Sequence, residues 1–139
     1  MKSGLKVIAP ASVSNLACGF DTLGVAIDIP SDEMIGKWVD TPGVHIIEIT
    51  GKKKDIPLAA DHNIAGITAT ALLKHLGEDG RGLELRIHKH IPGGSGLGSS
   101  ASSATAAAVL VNELLNRPFE KRDLIPFALD GEMVASGSR

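Results

Sequence analysis

Residues 91–103 read Ile-Pro-Gly-Gly-Ser-Gly-Leu-Gly-Ser-Ser-Ala-Ser-Ser, and this run constrains the fold more than any other part of the chain. Ahead of it, Leu83-Glu84-Leu85-Arg86-Ile87-His88 alternates apolar and polar residues, the pattern of a half-buried strand. Behind it, Ala101, Ala104, Ala108, Val111 and Leu115 recur at helical spacing, with Ala107, Leu110 and Leu114 beside them, which predicts a helix over Ser99 to Asn116. The loop between them must therefore turn a strand directly into a helix. Glycines at 93, 94, 96 and 98 permit that turn and leave no Cβ to keep a ligand away. Such a turn aims unpaired N–H groups and the positive end of a helix dipole at one point. It is an anion site, and the anion it suits is a nucleotide phosphate.

The remaining elements follow from the same rules. Leu5 to Ala9 predicts a first strand, and Leu23 to Ile29 a second one ended by Pro30. Met34 to Val39 and Val44 to Ile49 predict two more, separated by the turn residues Thr41-Pro42-Gly43. Lys52-Lys53-Lys54-Asp55 reads as a solvated turn. Asp61-His62-Asn63 offers helix-start residues before a helix over Ile64 to Leu76, with Gly77 as its stop. Asp123 is placed to cap a last helix to about Ser136, with Pro126 in its first turn. No internal repeat or linker interrupts the 139 residues, and the expectation is one α+β domain.

Composition removes several classes of function. Aromatic residues are 3% of the chain and tyrosine is absent, so base stacking on aromatic platforms is not a main activity. A formal charge of −2 argues against general nucleic-acid binding. No segment has the apolar length of a membrane span or a secretion signal, and the single cysteine, Cys18, fits a reducing compartment. The expectation is a cytoplasmic protein without nucleic-acid or membrane partners. The five histidines are scattered without metal-ligand or triad spacing; His88 and His90, flanking Lys89, could add positive potential near a phosphate.

Spacing separates the loop from its look-alikes. A Walker A loop ends in Gly-Lys-Ser/Thr, whereas Gly98 is followed by Ser99. The dinucleotide fingerprint needs Gly-x-Gly-x-x-Gly, whereas Gly94-Ser95-Gly96-Leu97-Gly98 runs Gly-x-Gly-x-Gly. Neither Ser95 nor Ser99 sits in the Gly-x-Ser-x-Gly of a nucleophile elbow. The run that does match is Pro-x-x-x-Gly-Leu-Gly-Ser-Ser-Ala, here Pro92-Gly93-Gly94-Ser95-Gly96-Leu97-Gly98-Ser99-Ser100-Ala101. It resembles the phosphate-binding motif of the GHMP kinases, small-molecule kinases named after galactokinase, homoserine kinase, mevalonate kinase and phosphomevalonate kinase. Three further runs resemble the homoserine-phosphorylating branch of that family. They are Pro10 to Asp21, with Asn15 and Gly19-Phe20-Asp21; His62-Asn63-Ile64-Ala65-Gly66; and Gly131-Glu132-Met133-Val134-Ala135-Ser136-Gly137.

The resemblance implies a fold and a set of roles. The fold is α+β, a mixed or antiparallel sheet with helices packed on one side, as in the ribosomal protein S5 domain 2-like arrangement. Pro92 through Ala101, with Ser102 and Ser103, would hold the phosphates of ATP, and Asn63 and Lys89 would lie near the adenine and ribose. Ser100 and Glu132 would hold Mg²⁺, which takes few protein oxygens and keeps phosphate and water as its other ligands. Asn15 and Asp21 would receive the hydroxyl and ammonium of L-homoserine. The implied reaction is γ-phosphoryl transfer from ATP to the homoserine hydroxyl, a step in threonine synthesis, with no catalytic base assigned. A homodimer is compatible with the resemblance. Residue by residue, bland roles compete: Asn63 and Ser100 as helix caps, Lys89 as a strand-edge charge, Glu132 as an exposed helix carboxylate, Asn15 and Asp21 as turn formers. A sister kinase of the mevalonate-pathway type, or a nucleotide-binding domain without catalysis, would share the loop. The chain also stops at Arg139, where the resembled family continues into a second domain; the expectation is an N-terminal portion with little activity of its own.

Overall fold

The computed structural model describes residues 3–13, 24–52 and 55–136. Four strands, β1 (Gly4–Val13), β2 (Val25–Val39), β3 (Gly43–Gly51) and β4 (Gly82–Lys89), form one mixed sheet in the order β1-β2-β4-β3. β2 runs antiparallel to both β1 and β4, while β3 lies parallel to β4. That parallel pair is joined through helix α1 (Ile64–His75). Helix α2 (Ser99–Leu114) packs on β1, β2 and α1, and helix α3 (Ile125–Ser136) packs on α1 and α2. The expected α+β fold, a mixed sheet with its helices on one side, is the fold found.

Alternation decides which face the helices cover. Leu83, Leu85 and Ile87 of β4 are buried beneath them, while Glu84, Arg86 and His88 point the other way. Met34 of β2 joins them, and Leu72, Leu110, Val111 and Leu114 close the core from the helices. The alanines of α2 work here as spacers: Ala104, Ala106, Ala107 and Ala108 are all buried and let the helix axis come down onto the sheet. Gly36 on β2 extends the same economy of volume, because a Cβ there would sit 2.4 Å from Leu110 Cδ2. The opposite face of the sheet mixes the ion pairs Lys6–Glu33 and Lys37–Glu84 with the exposed Ile8 and Ile35. A hydrogen bond from Lys6 holds the Glu33 carboxyl below the usual carboxylate range, and the charges of His90 and His88 act in the same direction.

Two sequence expectations for the strands merge into one element. Leu23 to Ile29 and Met34 to Val39 were to be separate strands divided at Pro30, but Val25–Val39 is continuous. The reason lies in its register with β1. Pro10 pairs with Ser31 and the next residue, Ala11, pairs with Ile27, so residues 28–30 bulge out of the ladder. Pro30, whose peptide bond with Ile29 is cis, sits in that bulge, where its missing N–H costs no ladder bond. Leu23 lies outside the described residues, as do Lys53 and Lys54 of the expected solvated turn.

The helix ends follow their capping chemistry. Asn63 caps α1, its side-chain oxygen accepting from the Ala65 and Gly66 N–H groups, and Gly77 beyond the other end adopts a φ of +69°. α2 stops at Leu114, two residues short of the expected Asn116. Asn116 and Arg117 both take left-handed conformations, and the Arg117 N–H turns back to the Asn112 carbonyl. Asp123 does not cap α3 directly. It belongs to a short 3-10 turn, Lys121–Leu124, where its carboxylate accepts from the Glu120 N–H in a reciprocal capping box. Pro126 falls in the first turn of α3, as expected.

Gly66 offers a direct test of packing against propensity. Alanine in a helix interior is normally favoured over glycine by about 1 kcal/mol, but a Cβ at Gly66 would meet the Ala60 carbonyl oxygen at 2.4 Å and its Cα at 2.6 Å. Gly66→Ala should therefore lower the urea midpoint rather than raise it. A raised midpoint would show that the 60–62 turn yields easily.

Candidate functional site: a cleft at two helix N-termini

The glycine loop leaves β4 at the inner face of the sheet and delivers the chain to α2. Positive φ values recur at Gly94, Gly96 and Gly98, with negative φ at the residues between them. Backbone that alternates handedness in this way turns successive N–H groups toward a common side, the geometry of an anion nest. No side chain caps α2, whose N-cap is Gly98. A helix start left uncapped by its own residues keeps its donors available to a ligand. Gly98 is also held from behind: its φ is +72°, and a Cβ there would lie 2.3 Å from the Ser12 hydroxyl. The Ser12 N–H donates to the Leu97 carbonyl at 2.9 Å, so the end of β1 buttresses the loop.

A cleft of about 340 Å³ opens beside this helix start. Ile56, Pro57, Ile64 and Ile87 give it an apolar wall; Asp55, His62, Asn63, Lys89, Ser99, Ser100, Ser103 and Glu132 line the rest. The N-terminus of α1 therefore borders the same space as that of α2. Asn63 is buried and engaged through both ends of its amide: the NH₂ donates to the Pro57 carbonyl at 2.9 Å while its oxygen caps α1. It shapes the apolar wall by tying residues 57 and 63 together. Ser100 and Glu132, matched to the family's metal contacts by resemblance, do meet: the Ser100 hydroxyl donates to Glu132 Oε1 at 2.9 Å across 32 positions of sequence.

Lys89 is the largest fully buried side chain among the described residues, 1% exposed, and is no strand-edge charge. Its ammonium is paired with the Asp32 carboxylate, itself 2% exposed, and donates to the Ser99 carbonyl and the Ser103 hydroxyl, each at 2.9 Å. Asp32 in turn accepts from the His90 N–H at 2.8 Å, the Ile91 N–H at 2.9 Å and the Ser102 hydroxyl at 3.0 Å. Ser102 and Ser103 are buried, and both hydroxyls are engaged in this network. Ser95, in contrast, is exposed on the loop and closes it locally by donating to the Pro92 carbonyl at 2.6 Å. Pro92, Gly93 and Ala101 take their places along the loop and first helical turn.

One expectation changes here, and one residue that carried no expectation enters the network. His88 and His90 do not project toward the cleft: His88 bonds Thr50 on the outer face, His90 lies 4.0 Å from Glu33, and the two rings pack at 4.4 Å. Strand alternation sends them to the side opposite Lys89. Asp32, which no motif marked, is a central residue of the site. Asn15 and Asp21, with Cys18, lie outside the described residues.

A buried ion pair predicts an asymmetric mutational response. Removing one partner leaves an uncompensated charge, which typically costs about 3–5 kcal/mol. Lys89→Met should therefore destabilise the fold by an amount in that range, read from chemical denaturation. A loss below about 1 kcal/mol would place it among exposed pairs and contradict the burial described here.

The comparisons with known proteins agree on this chain. The sequence pattern of the GHMP kinases N terminal domain matches residues 63–139, more than half of its length. Homoserine kinase from Xylella fastidiosa (strain M12) is 43% identical over 134 residues, which cover 96% of this chain and 41% of that protein. Homoserine kinase from Chlorobium phaeovibrioides is 43% identical over 99% of this chain and 46% of that protein. The crystal structure of homoserine kinase from Cytophaga hutchinsonii superposes with a TM-score of 0.95 at 45% identity, covering 99% of this chain and 44% of that one. The chain thus spans less than half the length of these relatives. Its loop, cleft and sheet order accord with that sequence match, and the chain belongs to the GHMP kinase family.

Proposed function

We propose that this chain supplies the nucleotide-binding part of a homoserine kinase, which transfers the γ-phosphoryl group of ATP to the side-chain hydroxyl of L-homoserine. The observation that carries the nucleotide half of the proposal is the uncapped start of α2, opening on a cleft that Ser100 and Glu132 reach together. The homoserine half rests on two supports: similarity to enzymes of that name over nearly the whole chain, and the match of Asn15 and Asp21 to the family's substrate-binding residues. Phosphoryl transfer asks little covalent chemistry of a protein; alignment and charge stabilisation do most of the work.

Each residue then has a task. Backbone N–H groups from Gly93 to Ala101 hold the phosphates with charge-assisted hydrogen bonds, stronger than neutral ones, while the Ser102 N–H is already bonded to the Gly98 carbonyl within α2. Ile56, Pro57, Ile64 and Ile87 give the adenine an apolar wall whose shape Asn63 maintains. Lys89, its charge offset by Asp32, braces the start of α2 from beneath by donating to the Ser99 carbonyl and the Ser103 hydroxyl. The Ser100 hydroxyl and Glu132 carboxylate are hard oxygen donors, and the described residues hold no group of three or more His, Cys, Asp or Glu side chains that could cage a metal alone. One hydroxyl and one carboxylate suit Mg²⁺ arriving on a nucleotide, and the ion would neutralise charge developing on the phosphates. Asn15 and Asp21 receive the amino-acid substrate. No residue is assigned as a base. None of the helices among the described residues is long and apolar enough to cross a membrane, and we place the reaction in the cytoplasm, where threonine synthesis would consume the product.

ATP-dependent phosphorylation of L-homoserine, with mevalonate as the competing acceptor, tests the assignment; a preference for mevalonate would overturn the substrate. Ser100→Ala and Glu132→Gln should each lower kcat by about 10²-fold or more, as loss of a charge-stabilising contact does, and raise the Mg²⁺ concentration needed for half-maximal rate. Asp21→Ala should raise the KM for homoserine while leaving the KM for ATP near its original value. An unchanged homoserine KM would remove Asp21 from the substrate site.

A further inference from the structure

We propose that Asp32 is the positioning residue of the glycine loop, a single buried carboxylate that fixes both flanks of the loop and so pre-shapes the anion nest. Oδ1 accepts from the His90 and Ile91 N–H groups, at the point where the chain leaves β4. Oδ2 accepts from the Ser102 hydroxyl, one turn into α2, and is paired with Lys89, whose ammonium reaches the Ser99 carbonyl and Ser103 hydroxyl. Entry and exit of the loop thus converge on one side chain. Between them, Gly93, Gly94, Ser95 and Gly96 are exposed, and no hydrogen bond from the body of the protein to their backbone is found among the described residues. A segment of four exposed residues, three of them glycine, holds a defined conformation only if its ends are fixed. Asp32 fixes them without touching the ligand.

The geometry also explains why the group is a carboxylate. Two backbone N–H groups, a hydroxyl and an ammonium all donate to it, and only an ionised carboxyl accepts from so many donors at once. Lys89 offsets its charge, so the pair is neutral while the N–H groups keep a strong acceptor. The consequence for phosphate binding rests on the kinase reading above; the consequence for loop geometry stands without it.

Two double variants separate positioning from simple filling of space. Asp32→Asn with Lys89→Met removes both charges but keeps a side-chain oxygen for the His90 and Ile91 N–H groups. Asp32→Val with Lys89→Met removes that acceptor at similar volume. Amide hydrogen exchange across residues 90–103 and MgATP affinity are measured on both variants and on the unmodified chain. The Val pair should exchange at least about 10-fold faster in the loop and bind MgATP at least about 10-fold more weakly, as expected for losing bonds to a charged acceptor. Exchange in the interior of α1 should stay the same. The Asn pair should recover most of both effects. Equal loop exchange in the two folded variants would overturn the proposal, whatever the affinities. If the Val pair does not fold, Asp32→Ser with Lys89→Met takes its place; loop exchange clearly faster than in the Asn pair supports the proposal, and exchange equal to the Asn pair overturns it. Failure of every protein, the unmodified chain included, to bind MgATP would sink the kinase reading while the exchange comparison still decides the role of Asp32.

Discussion

A carboxylate and an ammonium removed from water forfeit hydration on the order of several kcal/mol each, and their attraction offsets that only when the remaining hydrogen-bonding positions are filled. Asp32 and Lys89 meet this condition by recruiting their surroundings: two backbone amides at the end of β4, a carbonyl and two serines at the start of α2. The pair therefore cannot be satisfied unless strand, loop and helix are in register with one another. β2 supplies the acid, β4 the base and α2 the serines. The cleft is a by-product of that agreement, since the N-terminus of α2 comes to rest where Lys89 and Asp32 hold Ser99, Ser102 and Ser103.

The layout of strand, loop and helix was legible in the sequence because each signal was strong on its own scale. Alternation from Leu83 to His88 found β4, alanine periodicity found α2, and Asn63 marked the start of α1 by the chemistry of its short amide. Proline misled the reading of β2. Pro30 normally ends a strand, so residues 31–33 fell into a gap between two expected elements, and Asp32 fell with them. The sheet tolerates the proline because β1 and β2 are out of step there. Had β2 been read through the bulge, Asp32 would have shared the inward parity of Met34 and Gly36. The same parity argument, carried one step beyond Ile87, turns Lys89 inward with Leu83 and Leu85 and sends His88 and His90 outward.

The site residues differ in how local their sequence signals are. The nest follows from glycine positions, which are local and visible. Ser100 and Glu132 were matched only through resemblance, because nothing local says that a serine on one helix will meet a carboxylate on another; their 2.9 Å contact depends on how α3 crosses α2. Asn63 shows that a bland role and a functional one can coincide. A cap that holds Pro57 against the start of α1 also forms one wall of the cleft. Sequence reasoning poses such roles as alternatives, whereas the packed structure makes one the means of the other.

The network around Asp32 is also long-range. Its donors lie 57 to 70 residues further along the chain, so the loop cannot take its shape from its own neighbourhood. Contacts of such separation form only against the entropy of closing a long stretch of chain. The glycine run is thus a motif by sequence but a site only by completion. The nest depends on β2 lying beside β4, because Asp32 comes from one strand and Lys89 from the other.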